Sequence, residues 1–74
     1  MTTEVRRLVA SAVLSELGRT RRDTDWLAQR SGLGLRVVEA SLAGERDLTV
    51  EELAAVANAL GVSPARLVPA PPSD

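Results

Sequence analysis

A chain of 74 residues holds one domain with one small core and leaves no room for a deep catalytic cleft beside it. It contains no cysteine and no histidine, which excludes disulfides and the commonest zinc sites, and its nine basic residues are all arginine. The formal net charge of -1 is unevenly placed: residues 1–36 carry seven arginines against four acids and residues 37–74 two against six, so a basic face for phosphate can coexist with an acidic one turned to water.

Thr3 precedes Val5, Leu8, Val9, Ala12, Val13 and Leu17 at helical spacing, and a first helix is expected from about Glu4 to Gly18. Its apolar stretch from Leu8 to Leu14 is interrupted by Ser11 and followed by Ser15 and Glu16. It therefore reads as core helix and neither membrane span nor signal peptide, and a cytoplasmic protein is expected. Asp23 is placed to cap a second helix, Thr24 to Ser31, with Asp25 aligned to the helix dipole and Gly32 as the stop. A third helix begins after Gly34 and is ended by Gly44. Thr49 and Glu52 form a capping box that opens the run Val50, Leu53, Ala54, Val56, Ala57 and Leu60, closed by Gly61. Ser63 then caps a short fifth helix with Pro64 in its first position and Leu67 and Val68 facing inward. The domain is expected over residues 1–68, with residues 69–74 as a flexible proline-rich tail.

Within this order the segment around Gly32 is the most informative. Two helices that cross steeply over a turn of about three or four residues need a small residue where their backbones approach and a glycine where φ turns positive. Ala28 and Gly32 supply these, and Leu27, Leu33, Val38 and Leu42 are the apolar positions that such a pair must bury in its wedge. This is the layout of a DNA-binding helix-turn-helix. Trp26, the only aromatic residue, is expected as a core-edge residue packed across its neighbours.

The residues Trp26-Leu27-Ala28-Gln29-Arg30-Ser31-Gly32-Leu33, then Leu42-Ala43-Gly44-Glu45-Arg46, Glu52-Leu53-Ala54 and Ala59-Leu60-Gly61-Val62-Ser63-Pro64 together resemble the lambda-repressor and Cro-like helix-turn-helix family, also called the XRE family. The resemblance runs from about Val5 to Val68. It implies an all-α, compact, five-helix lambda-repressor-like domain that regulates transcription, as phage repressors and their antagonists do, by binding double-stranded operator DNA as a homodimer. It also implies that the first residues of the third helix enter the major groove, which puts Leu35, Arg36, Glu39 and Ala40 at base edges, with Ala43 near the end of the same face beside the backbone. Arg36 is the candidate for bidentate recognition of guanine, Leu35 for a thymine methyl and Glu39 for cytosine. Thr24 matches a position where the family places a phosphate-binding glutamine. Arg21, Arg22, Arg30 and Arg46 cluster around the motif and are expected to clamp phosphates. Three departures weaken the electrostatic grip that the resemblance implies: Gly34 in place of a serine or threonine, Ser41 in place of an apolar residue, and Glu45 in place of a lysine.

No enzyme is expected. Histidine, cysteine, lysine and tyrosine are absent, and the adjacent Glu51 and Glu52 diverge around a helix and cannot face one substrate. No cofactor, metal or small-molecule substrate is called for. The competing reading is a protein-interaction module, antirepressor-like or inhibitory, that keeps the fold without operator binding; the acidic second half and the apolar residues around the first helix favour it. An all-arginine basic set with abundant alanine points to a GC-rich genome, phage or actinobacterial.

Overall fold

The fold is that of a computed structural model, which describes residues 3–68. Among these residues four α-helices follow one another, α1 (Thr3–Thr20), α2 (Thr24–Ser31), α3 (Leu35–Leu42) and α4 (Val50–Leu60), and then one 3-10 turn at Pro64–Arg66. The tail expected over residues 69–74 lies outside the described residues.

α1 runs two residues past the expected stop at Gly18. A lone glycine inside a helix costs only about 1 kcal/mol relative to alanine, and Leu17, which is buried, holds this last turn on the core. The stop is Arg21 instead, with φ +58. Its N–H donates to the Gly18 carbonyl (3.2 Å) and that of Arg22 to Leu17 (2.9 Å), the paired bonds of a Schellman ending. The Thr20 hydroxyl donates back to the Glu16 carbonyl at 2.8 Å, a bond within the last turn of the helix.

The remaining helix ends follow the glycines. Asp23 accepts from the Trp26 N–H at 2.8 Å and opens α2, and Gly32, at φ +78, closes it. Gly44 and Gly61 likewise take positive φ beyond α3 and α4. At the start of α4 the Thr49 hydroxyl accepts from the Glu52 N–H while the Glu52 carboxylate accepts from the Thr49 N–H, the reciprocal capping box. Past Gly61 the fifth helix shrinks to a single 3-10 turn. The Ser63 cap and Pro64 are placed as expected, but only three residues separate Ser63 from Leu67, whose side chain is fully buried and turns the chain inward. Val68, expected inside, is exposed.

The core is built from Val9, Val13 and Leu17 of α1, Leu27 and Ala28 of α2, Val38 of α3, Val56, Ala57 and Leu60 of α4, and the loop residues Leu48 and Leu67. α2 packs against both α3 and α4, and α1 lies across α3. Among the described residues one polar residue is buried with them. Ser41 is enclosed and its hydroxyl has no hydrogen-bond partner. It borders a void of about 10 Å³, room for one water at most. An unsatisfied buried hydroxyl costs about 1–3 kcal/mol, so Ser41→Ala is expected to stabilise the fold by about 1 kcal/mol in denaturant melts; a loss of stability would mean that the hydroxyl is bonded in solution.

Three carboxylates hold the outside of this bundle and titrate low. Asp47, in the loop after α3, accepts from Arg6 of α1 at 2.9 Å, and this bond holds its carboxyl below the ordinary range. Glu52 is lowered chiefly by the Thr49 N–H and then by Arg46, and Glu16 by Arg19. Carboxyls with depressed values stabilise the fold at pH above their unfolded values, and that stability is lost as pH falls through the folded ones. The melting temperature should therefore stay level from pH 7 to about 5 and fall below about 4, with a smaller fall in Glu52→Gln; an unchanged fall in that variant would remove Glu52 from the account. All three groups are solvent-accessible, so added salt should shrink the effect.

Candidate nucleic-acid interface

The turn between α2 and α3 is short because Gly32 takes the left-handed conformation in one residue, its N–H donating to the Ala28 carbonyl at 3.1 Å. A Cβ at Gly32 would meet no atom within 4 Å, so the glycine is required by its φ and not by crowding. Leu27, Ala28 and Val38 are buried and Leu33 and Leu42 partly so, which fills the wedge between the helices as the spacing predicts.

With Val38 and Ser41 turned inward, the opposite arc of α3 is left outside. Leu35, Arg36, Glu39 and Ala43 are exposed and Ala40 is half-buried. At about 100° per residue these five positions fall within about 140° of the helix circumference. They form one continuous face. Arg36 enters no ion pair among the described residues. Gly34 caps the helix with backbone alone, which leaves the first N–H groups of α3 open beside Leu35.

The phosphate-clamp candidates are spread over different surroundings. Thr24 is the first residue of α2, half-buried at its N-terminal end. Arg21 is exposed. The Arg22 guanidinium lies over the Trp26 ring, 4.9 Å from its centroid, and Trp26 packs against the edge of the core as expected. Arg30 is exposed one turn further along α2. Arg22, Trp26 and Arg30 share a depression with the C-terminal ends of α1 and α4. Asp25, Gln29 and Leu35 line another, on the α3 side of α2. Arg22 and Arg30 therefore lie towards the ends of α1 and α4, and Arg30 also shares a shallow depression with Gln29 and Trp26. Arg46 is engaged with both oxygens of Glu52, at 3.3 and 3.2 Å.

Two features escaped sequence reasoning. The Arg46–Glu52 pair joins residues whose roles were read separately, a clamp and a cap; a glutamate at the third position of a helix, with an arginine six residues before it, is the only hint. Gln29 borders the depression beside Leu35 and was not singled out, although its place three residues before Gly32 puts it on the lip of the turn.

No family model matches the sequence, and no curated protein matches it. A solved regulator shares the arrangement. The crystal structure of the clp gene regulator ClgR from C. glutamicum is similar over 85% of this chain and 82% of that one, with a TM-score of 0.79 at 25% sequence identity. The likeness covers the helical bundle as a whole, so the α2–turn–α3 unit sits in an architecture that a gene regulator also uses. No helix among the described residues is long and apolar enough to cross a membrane.

The left-handed Arg21 gives a way to separate its structural and binding roles. A non-glycine residue in that conformation costs about 1–2 kcal/mol, so Arg21→Gly is expected to raise the melting temperature by about 4–8 °C per kcal/mol recovered. If Arg21 also holds a phosphate, the same variant binds duplex DNA more weakly, with a salt slope smaller by about one. Unchanged binding would leave Arg21 a helix end only.

Proposed function

We propose that the chain is a sequence-specific DNA-binding transcriptional regulator of the Cro or repressor type. It occupies a short operator by laying the outer face of α3 in the major groove, as a homodimer on paired half-sites about one helical turn apart. The observation that carries this reading is the outer arc of α3, a continuous outward face with an arginine that enters no ion pair among the described residues, on a tight helix-turn-helix unit. The likeness to a clp gene regulator supports it.

In this reading Arg36 pairs with a guanine edge, Leu35 meets a thymine methyl, Glu39 accepts from a cytosine amine and Ala40 allows close approach. Thr24 and the N-terminal end of α2 take a phosphate, with Arg21 and the backbone at Ala43 beside the same strand. Arg46 joins them only by leaving Glu52. This reading assigns Arg22 and Arg30 no duplex contact, because they line a depression towards the ends of α1 and α4.

The exposed Leu8 and Leu14 on α1 favour a second reading, an interaction module that binds a protein through an apolar face. Salt separates the two. Binding through phosphates weakens steeply as counterions compete, whereas an apolar interface responds little. A duplex titration repeated from about 50 to 200 mM salt should lose affinity by about three- to fourfold per phosphate contact, in a straight line on logarithmic axes. A folded protein with no duplex affinity at the lowest salt would turn the assignment to the second reading.

A further inference from the structure

We infer that the depression between α2 and the C-terminal ends of α1 and α4 is a separate docking site for an acidic segment of a partner protein. Its lining includes Thr20 from α1, Arg22, Trp26 and Arg30 from the α2 side, Asn58 from α4 and Gly61 just past it, about 320 Å³ in all. No carboxylate lines it. Neither Arg22 nor Arg30 has an ion-pair partner among the described residues.

Two local features explain why these cations are held ready. The Trp26 ring fixes the Arg22 guanidinium above it while leaving the edge of the fork free to donate. Arg30 follows Trp26 by one turn, a rise of about 6 Å, and lines the same depression. α1 and α4 both end at this depression, and each helix end contributes about half a negative charge. Two guanidiniums against two helix ends leave a surplus of about one positive charge, enough for a short segment with carboxylates spaced around an apolar side chain.

Charge complementarity alone would admit DNA as well, but the placement disfavours it. A duplex seated on the outer face of α3 meets α2 along Asp25 and Gln29, next to Leu35 of α3, whereas this depression lies towards the ends of α1 and α4. A regulator that held DNA on one flank and an acidic protein segment on the other would bind both at once.

Trp26 is the only tryptophan and reports directly on the site. The test is a fluorescence titration of the full chain with a blocked peptide of alternating glutamate and leucine, run beside the same peptide with glutamine for glutamate. The expected result is a saturable change that weakens about tenfold or more for the glutamine peptide and for the Arg22→Ala/Arg30→Ala variant. Arg30→Lys should keep part of the affinity, and Arg36→Ala should keep all of it. Thermal melts of each variant establish that it is folded. Equal binding of both peptides by the native chain, or none, would overturn the proposal. So would a loss of duplex affinity in the double variant with unchanged peptide binding, which would make these arginines phosphate contacts.

Discussion

Replacing Arg36 with alanine is expected to flatten discrimination at one or two base pairs of the bound duplex while leaving the remaining positions selected. Arg36 is exposed in the first turn of α3 and enters no ion pair among the described residues, so its fork has nothing to leave before it meets a base edge. A bidentate arginine–guanine pair is worth about 1–3 kcal/mol of discrimination, or roughly fivefold to 150-fold between the preferred base and its competitors. Measured against a panel of single-position variants of the preferred duplex, Arg36→Ala should bring the best and second-best base at one position to within a few fold. An equal loss for every duplex in the panel would make Arg36 a phosphate contact. Its fold should be untouched, because an exposed arginine replaced by alanine in a helix changes stability by about 0.5 kcal/mol or less.

The second large effect concerns Leu67. Its side chain is fully buried although it stands just past the last regular element, where only one 3-10 turn precedes it. Truncating a buried leucine costs about 2–5 kcal/mol, and a domain of this size has little more than that to lose. Leu67→Ala should therefore melt lower by tens of degrees, at about 4–8 °C per kcal/mol, or be unfolded at room temperature. The neighbouring Val68→Ala should change the melting temperature by only a few degrees, since Val68 is exposed. Similar melting temperatures for the two variants would mean that the end of the chain is not docked as described.

The contrast between these two neighbours marks how far the sequence is legible. Helix starts were readable where a side chain does the capping, as at Asp23 and in the Thr49–Glu52 box, because the local geometry is complete within four residues. The stops at Gly32, Gly44 and Gly61 were readable for the same reason. Gly18 misled because a glycine can end a helix or merely sit inside one. The choice fell to Leu17, whose burial extends α1 to a left-handed arginine that no propensity would favour. The fifth helix failed in a similar way: Ser63 and Pro64 predict a start, but the length is set by the distance to the pocket that receives Leu67, which is a tertiary quantity.

The candidate site divides along the same line. The outer face of α3 follows from helical periodicity once Val38 is known to face inward, so Leu35, Arg36, Glu39, Ala40 and Ala43 could be grouped from sequence. The arginines could not. Arg22, Arg30 and Arg46 look equivalent along the chain, yet one lies over a tryptophan, one is exposed beside the end of α4, and one is held by the glutamate that caps α4. Which flank a side chain takes depends on how α2 is rolled against α3 and α4, and periodicity within an eight-residue helix fixes that only loosely.

The central claim, that the outer face of α3 reads DNA sequence, is tested most directly by selecting bound duplexes from a randomised pool at low salt and measuring the enriched sequence again at higher salt. The account predicts one enriched site with fixed bases, arranged as two half-sites about one helical turn apart, and a steep loss of affinity with salt. A folded protein that enriches no sequence would contradict it.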